Sequence, residues 1–532
     1  PAAFSLTQKT AIETAMVLLR SIATVGGFTL ISRVLGFVRD ILIAFVLGAA
    51  AGADVFFIAF KLPNLFRRLF AEGAFSMAFV PMFAGRVEAE GIQAAKAFAV
   101  AAFSVLFWIL LIFVVVIEVA MPVVMLGFAP GFIGEAAKFN LAVELTRITF
   151  PYLLFISLVS LMAGVLNSLG RFAAAAATPI LLNLCLIGAI MGLANVTETS
   201  GHALAWGVAA AGVVQFIWLF AACGREGVWL RISLPKLTDD VKVLLKRMVP
   251  VAIGAGIYQI NLVIDTVIAS LLPAGSISYL FYADRVNQLP LGVLGVAVGT
   301  ALLPLLSRQV RAGETEAAHH SQNRAMELSL LLTLPAATAL MVIATPVVRV
   351  LFERGQFGPM ETAATAAALA VYAVGLPAYV MVKALAPGFF AREDTATPVK
   401  ISVFCLFVNL GLNLLLMGPF QHVGIAAATV VSSWLNVAIM AYVLHRRGHL
   451  VLDRRLRERL WRMALATAGM GVALFGALGP LADVLAGTTS ERVLGLAVMV
   501  IGGMAVFGVL ALALGAARIG DLKSLYRGGA TP

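Results

Sequence analysis

Eight basic residues stand inside long apolar stretches of this chain: Arg33, Arg39, Lys61, Arg67, Arg68, Arg147, Arg285 and Lys383. A charge held in hydrocarbon costs roughly 2.5–3.5 kcal/mol, so such residues turn from lipid toward a partner or toward water. Arg147 follows Glu144 by three residues near a helix end and reads as locally paired or snorkelling. The other seven have Asp40, Asp54, Glu72 and Asp284 as their acids, which leaves an excess of about three positive charges. A purely structural ion-pair network would be closer to balance, because unpaired buried charge is costly. Arginine is also the natural partner of phosphate, through its planar and permanently charged fork. The pattern predicts a water-filled cationic cavity for an anionic, phosphorylated substrate. Internal salt bridges alone are the bland alternative.

Spacing says how these residues are presented. Asp54, Lys61, Arg68 and Glu72 follow one another at seven, seven and four residues and so share one helix face. Arg67 and Arg68 lie about thirteen residues into that helix, roughly 20 Å along its axis. Pro63 interrupts the ladder there, and the facing of Arg67 does not follow from an ideal helix. Arg33 and Arg39 flank Gly36, where a bend would turn both inward.

The elements that must hold these residues are membrane helices. Of the 532 residues 61% are hydrophobic and 12% charged, with a mean hydropathy of +0.99. An ordinary soluble domain carries about 25% charge. Residues 97–117 and 463–482 run without a charge, long enough for a hydrocarbon layer of about 30 Å at 1.5 Å per residue. Gly, Pro and charged breaks divide the chain into about fourteen helices: 15–47, 53–84, 94–121, 140–169, 177–195, 201–222, 241–272, 278–308, 322–348, 361–390, 398–417, 422–445, 460–486 and 491–516. The net charge of +11 would suggest nucleic acid in a soluble protein; here it fits basic cytoplasmic loops. The N-terminus, the even-numbered loops and the C-terminal tail carry 26 of the 38 Lys and Arg, and the odd-numbered loops four. That bias predicts both termini in the cytoplasm. The first apolar stretch is too long, and too interrupted by Arg33 and Arg39, for a cleavable signal peptide. Cys185, Cys223 and Cys405 lie at unrelated spacings in apolar surroundings and predict neither a disulfide framework nor a metal site.

The chain also repeats itself. Arg171, Thr178-Pro179 and His202 correspond to Arg392, Thr397-Pro398 and His422. Asp40 and Leu62-Pro63 likewise correspond to Asp265 and Leu289-Pro290. The offset of about 220 residues pairs helices 1–6 with helices 7–12 as parallel repeats, a transporter plan. Three parts follow: an N-lobe at 15–222, a C-lobe at 241–445, and two further helices at 460–516. The fold class is an all-α polytopic membrane protein with two pseudo-symmetric six-helix lobes.

At these residues the sequence resembles a known family. Ser32-Arg33-Val34-Leu35-Gly36-Phe37 with Arg39-Asp40, and Ala59 to Arg68 continuing to Ala71-Glu72-Gly73-Ala74-Phe75-Ser76, are similar to the first two helices of the MurJ (MviN) lipid II flippases. Tyr282-Ala283-Asp284-Arg285, Lys383 with Pro387-Gly388-Phe389, and Thr397-Pro398-Val399-Lys400 resemble further segments of that family. The resemblance implies the MOP exporter fold, with two lobes forming a V-shaped cavity and the last two helices a groove for a lipid tail. It implies transport of lipid II, an undecaprenyl-diphosphate disaccharide-pentapeptide, by alternating access across the bacterial inner membrane. The family's cavity arginines carry over onto Arg33, Arg39, Arg67 and Arg285, with Asp54, Lys61, Arg68 and Glu72 as supporting positions. Asn64 and Ser278 complete the candidate substrate-binding set. Gln288 departs from relatives that place a glutamate there.

A sodium ion is the one candidate cofactor. Asp265, the pair Asn409 and Asn413, and Thr429 offer the oxygen ligands a hard cation needs, although helix–helix hydrogen bonding explains them equally. An oligosaccharide flippase of the O-antigen type is the nearest rival, since it too carries a polyprenyl diphosphate. A drug/cation antiporter fits a cationic cavity poorly. An enzyme acting on polyprenyl phosphates would need paired carboxylates or a histidine base near the cations. Asp239-Asp240 and His319-His320 stand instead in loops. The chain is therefore expected to be a non-enzyme, monomeric, partnered by lipid II and the bilayer and by no nucleic acid.

Overall fold

Hydrocarbon offers no partner to a peptide group, so a spanning chain must satisfy its backbone within each segment, as a helix does. The computed structural model describes residues 2–68 and 75–518, without the side chains of 2–22, 250–258 and 293–301, and these residues form helices and no strand. The chain divides into two compact units, Pro1–Leu271 and Leu272–Pro532.

The first unit holds α1 (Ala2–Leu47), α2 (Ala51–Phe66), α3 (Ser76–Ala89), α4 (Ile92–Val119), α5 (Met121–Phe128), a short 3-10 turn Pro130–Phe132, α6 (Ala136–Thr149), α7 (Tyr152–Ser168), α8 (Phe172–Leu193), α9 (Ser200–Arg225) and α10 (Asp239–Ser270). The second holds α11 (Ser276–Arg311), α12 (Thr315–Val342), α13 (Ala344–Phe352), α14 (Pro359–Phe390), α15 (Ala396–Arg446), α16 (Arg454–Leu478), α17 (Ala482–Ala486) and α18 (Thr489–Ala513). The stretch 140–169, read from sequence as one helix, breaks between α6 and α7 at Pro151, which has no N–H to donate to the preceding turn. The stretch 322–348 likewise divides into α12 and α13 at Ile343.

In the first unit α8 and α9 form the tightest hairpin, with α1 packed on α8 and α7 on α9. Gly207 makes that approach possible, because a Cβ there would come within 2.7 Å of the Ala189 methyl. In the second unit α14 packs against α11, α12 and α15, and α16 lies on α12 and α18. The 51 residues of α15 cannot be straight, since Asp394 just before it meets Arg447 just after it at 2.6 Å. The reversal falls at Gln421, whose φ of 49° is a conformation favoured by glycine. Gly424 then passes so close to Leu416 that a Cβ would lie 2.4 Å from its carbonyl oxygen.

Both hairpins are closed by an ion pair at their open end. Arg171 at the start of α8 meets Glu226 at the end of α9 at 2.9 Å. In α15 the acid comes first: Asp394 also accepts from Thr397 and is held down to about pKa 2, chiefly by that residue's hydroxyl and N–H and then by Arg447. The two hairpins thus carry clasps of opposite polarity at neighbouring positions, since Arg171 corresponds to Arg392, two residues before Asp394.

A second charged cluster fixes α16. Arg324, Arg455 and Arg459 converge on the Glu327 carboxylate of α12, and Arg324 also reaches Asp453, the N-cap of α16. Glu327 and Arg459 each expose 7% of the side chain. Removing one partner of such a buried pair strands the other charge. Glu327→Ala should therefore destabilise the protein by about 3 kcal/mol, read as a lowered thermal midpoint of the purified chain in detergent. An unchanged midpoint would mean that the cluster contributes nothing net.

Candidate functional site

Five of the seven cations expected to line a cavity lie in the first unit and two in the second. α1 runs as one helix through Gly36 and gives its two arginines different surroundings. Arg33 is exposed, while Arg39 is 6% exposed. The Arg39 guanidinium donates to Asp40 Oδ1 through Nε at 3.0 Å and Nη2 at 2.6 Å, and to Asn183 Oδ1 through Nη1 at 2.9 Å. Asn183 in turn donates to the Ser32 carbonyl at 2.9 Å, so it staples α8 to α1 on both sides of Gly36. This arginine is neutralised where it stands.

α2 presents a polar ladder. Asp54 is buried near its start, and Lys61 donates to the Thr266 hydroxyl of α10. Asn64 donates to the Phe60 carbonyl at 2.8 Å and accepts from Arg67 Nε at 3.0 Å, so its side-chain oxygen aims the guanidinium. Pro63 cannot donate to Ala59, whose carbonyl instead accepts from Thr149 of α6 at 2.8 Å. The helix then widens at Arg67 and Arg68 into a π-type turn, a feature frequent at functional sites. Arg68 is exposed. Glu72 lies outside the described residues.

In the second unit Arg285 lies with its guanidinium carbon 4.8 Å from the centre of the Phe281 ring, a cation–π contact. Asp284 accepts from the Gln288 amide, so the amide standing in place of a carboxylate is used to hold this acid. Ser278 is fully buried. Tyr282 anchors the turn among Phe352 and Phe357. Lys383 is part-buried on α14.

The candidate sodium ligands fall on different units. Asp265 is on α10 in the first; Asn409, Asn413 and Thr429 are on α15 in the second. Asn413 donates to Asn409 Oδ1 at 3.0 Å with both side chains buried, and the Thr429 hydroxyl donates to the Ile425 carbonyl at 3.1 Å. The pairs weighed as catalytic and expected in loops lie on helices instead, Asp239-Asp240 in the first turn of α10 and His319-His320 near the start of α12. Asp239, Asp240 and His319 are engaged there. Asp239 pairs with Lys242 at 2.9 Å, Asp240 with Arg86, and His319 Nε2 lies 3.0 Å from the Gly448 carbonyl. Arg147 donates to the Glu118 carbonyl at 3.3 Å.

Sequence reasoning missed three residues that position the cations: Asn183 for Arg39, Thr266 for Lys61, and Glu327 for the arginines of α16. Asn183 carried a usable signal, as the one amide side chain in the apolar run of α8. Thr266 and Glu327 depend on which helices become neighbours and carried none.

A family model described as "Lipid II flippase MurJ" matches residues 43–486. Among curated proteins, a probable lipid II flippase MurJ of Rhizobium meliloti (strain 1021) is 45% identical over 97% of both chains. The lipid II flippase MurJ of Burkholderia cenocepacia is 39% identical over 81% of this chain and 85% of its own. Among solved structures, a lipid II flippase MurJ in an inward closed conformation aligns with a TM-score of 0.77 over 92% of this chain and 97% of its own, at 24% identity. A MATE multidrug transporter of the MOP superfamily, inward-facing, aligns at a TM-score of 0.65 over 79% and 94%, at 14% identity.

The geometry separates buried from exposed cations. Asp40→Asn should cost about 3 kcal/mol by leaving Arg39 buried without its counter-charge, whereas Arg33→Ala should stay within about 0.5 kcal/mol, as exposed substitutions do. Thermal midpoints of the two purified variants check this; equal midpoints would remove the distinction.

Proposed function

We propose how this chain, which belongs to the lipid II flippase MurJ family, moves its substrate: Arg33 of α1 and Arg67 and Arg68 at the end of α2 take the diphosphate headgroup while the polyprenyl tail stays in the bilayer. The family's activity, flipping lipid II between leaflets, is the function of this chain. The observation that supports the headgroup assignment is the Asn64–Arg67 pair, an oriented guanidinium with an exposed arginine beside it at a widened helical turn. Oriented arginines meet a phosphate through paired N–H donors, which also fixes the headgroup's angle. Arg33 adds charge from α1, and Arg39 serves as a positioning residue through Asp40 and Asn183. Asp54, Lys61 and Asn64 hold the ladder, with Glu72 and Ser278 as further polar positions. Arg285, on α11, is a further basic position of the proposed set.

The tail's path is assigned to α16 and α18. Leu465, Val472 and Phe475 on α16 and Leu494, Val498 and Ile501 on α18 are exposed, an apolar surface that a polyprenyl chain can follow without leaving lipid. The cycle is alternating access with both termini cytoplasmic, in the bacterial inner membrane, by a monomer and without covalent chemistry. A negative headgroup crossing toward the outside gains about 2.3 kcal/mol per charge for 100 mV, inside negative. The cationic protein, once empty, is drawn back by the same field.

Sodium is a second proposed driving force. Amide and hydroxyl oxygens from Asn409, Asn413 and Thr429, with the Asp265 carboxylate, have the chemistry a hard monovalent cation takes. The bound ion would supply a positive charge and tie the cycle to the sodium gradient. A polyprenyl-linked oligosaccharide of the O-antigen type is the substrate this reading leaves behind, because the family match runs through α2.

Two experiments test the reading. In a strain depleted of its lipid II flippase, the wild-type chain should restore growth, while Arg67→Ala, Arg33→Ala and Arg285→Ala should reduce rescue at least tenfold at equal membrane abundance. Full rescue by all three would demote these arginines to structure, and failure of the wild type would point to another polyprenyl-linked glycan. In vesicles, collapsing the potential should slow lipid II transfer, and removing sodium should slow it further. Transfer indifferent to both would leave neither driving force standing.

A further inference from the structure

A second polar constellation stands apart from the cations, at the end of the first unit away from the Arg171–Glu226 clasp. Glu144 on α6, Glu198 in the connection ahead of α9, and His202 in the first turn of α9 bring one ligand atom each to within 4.8 Å of one another. Among the described residues they form the one such group of three His, Cys, Asp or Glu. His202 is 6% exposed, and its Nε2 finds no hydrogen-bond partner although it lies 3.3 Å from Glu144 Oε1. We propose that Glu144, Glu198 and His202 form a binding site for a divalent cation of the zinc class.

Four features carry this. First, the ligand set suits the ion: one imidazole and two carboxylates are borderline-to-hard donors of the kind Zn²⁺ takes. Second, the spacing is close to what a tetrahedral ion needs. Bonds of about 2.1 Å put ligand atoms about 3.4 Å apart, and the Nε2–Oε1 separation is 3.3 Å. Glu144 and Glu198 are exposed side chains and can close the remaining gap by rotation. Third, the other ring nitrogen is already held, since Nδ1 lies 2.8 Å from Thr199 Oγ1, the N-cap of α9. With the proton on Nδ1 donated to that hydroxyl, Nε2 points its lone pair at the two carboxylates, the tautomer a metal requires. Fourth, two carboxylates converge on a buried nitrogen, and the guanidinium of Arg147, which lines the adjoining cavity with Glu144, is turned to the Glu118 carbonyl.

The repeat supplies an internal comparison. His422 occupies the corresponding place in the second half, but its Nε2 lies 3.0 Å from the Ala364 carbonyl, and its ring packs on Tyr279. That histidine is satisfied by backbone, whereas His202 faces carboxylates. The site also borders a cavity of about 760 Å³ whose walls include Asn140, Glu144, Arg147 and Trp206. Three protein ligands leave a fourth position open toward that space, where water or a substrate oxygen can complete the shell. An ion there would pin the connection before α9 to α6.

The test is zinc binding to the purified full chain carrying an affinity tag without histidines, measured by competition with a fluorescent chelator. Wild type should bind one zinc per chain, with X-ray absorption showing a single imidazole and oxygen ligands. His202→Ala and Glu198→Gln should each weaken binding at least tenfold, and His422→Ala should leave it unchanged. Glu198 is an exposed connection residue, so its variant keeps the test decisive if His202→Ala fails to fold. Saturating zinc should raise the thermal midpoint of wild type and not that of Glu198→Gln. No stoichiometric zinc, or zinc binding indifferent to both substitutions, would overturn the proposal.

Discussion

Every charge placed in an apolar solvent must be met by a counter-charge, a dipole or water, and this requirement organises the molecule. It explains why Arg39 is bound to Asp40 and Asn183, why three arginines crowd Glu327, and why Lys61 reaches for Thr266. Arg33 and Arg68 are exposed, and Arg67 is oriented by Asn64.

The same requirement sets how far sequence could be read. The helices were legible because apolar length and charged breaks are local properties, and the arginine-rich block around Pro63 carried its own family resemblance. The division of α6 from α7 falls at Pro151, which the sequence shows but which a count of apolar length passes over. Charge counting found the excess of cations but could not apportion it. Arg33 and Arg39 look alike along the chain, and only Asn183, 144 residues further on, separates them. Thr266 and Glu327 were invisible for the same reason: their meaning lies in a neighbouring helix. The packing boundary after Leu271 is likewise a matter of contact, and α10 falls in the first unit although the repeat aligns it with α1.

Local helix chemistry and the transport reading meet in α2. Proline removes one backbone donor, a threonine from α6 takes up the carbonyl so freed, and the helix opens one turn later where the arginines project. Irregular backbone at such depth is tolerated where it faces protein or water. A stiff, regular helix would present Arg67 and Arg68 at fixed angles. A widened turn relaxes that constraint.

The two hairpin clasps bear on how a duplicated chain assembles. Arg171 opens its hairpin and Glu226 closes it, whereas Asp394 opens the other and Arg447 closes it. If the opening helix of one half met the closing helix of the other, arginine would face arginine, or aspartate would face glutamate. Like charges at that distance repel, so a mismatched hairpin would lose its ion pair and gain a repulsion in its place. Gene duplication creates two segments able to mistake each other for a partner; reversed polarity gives each an address of its own.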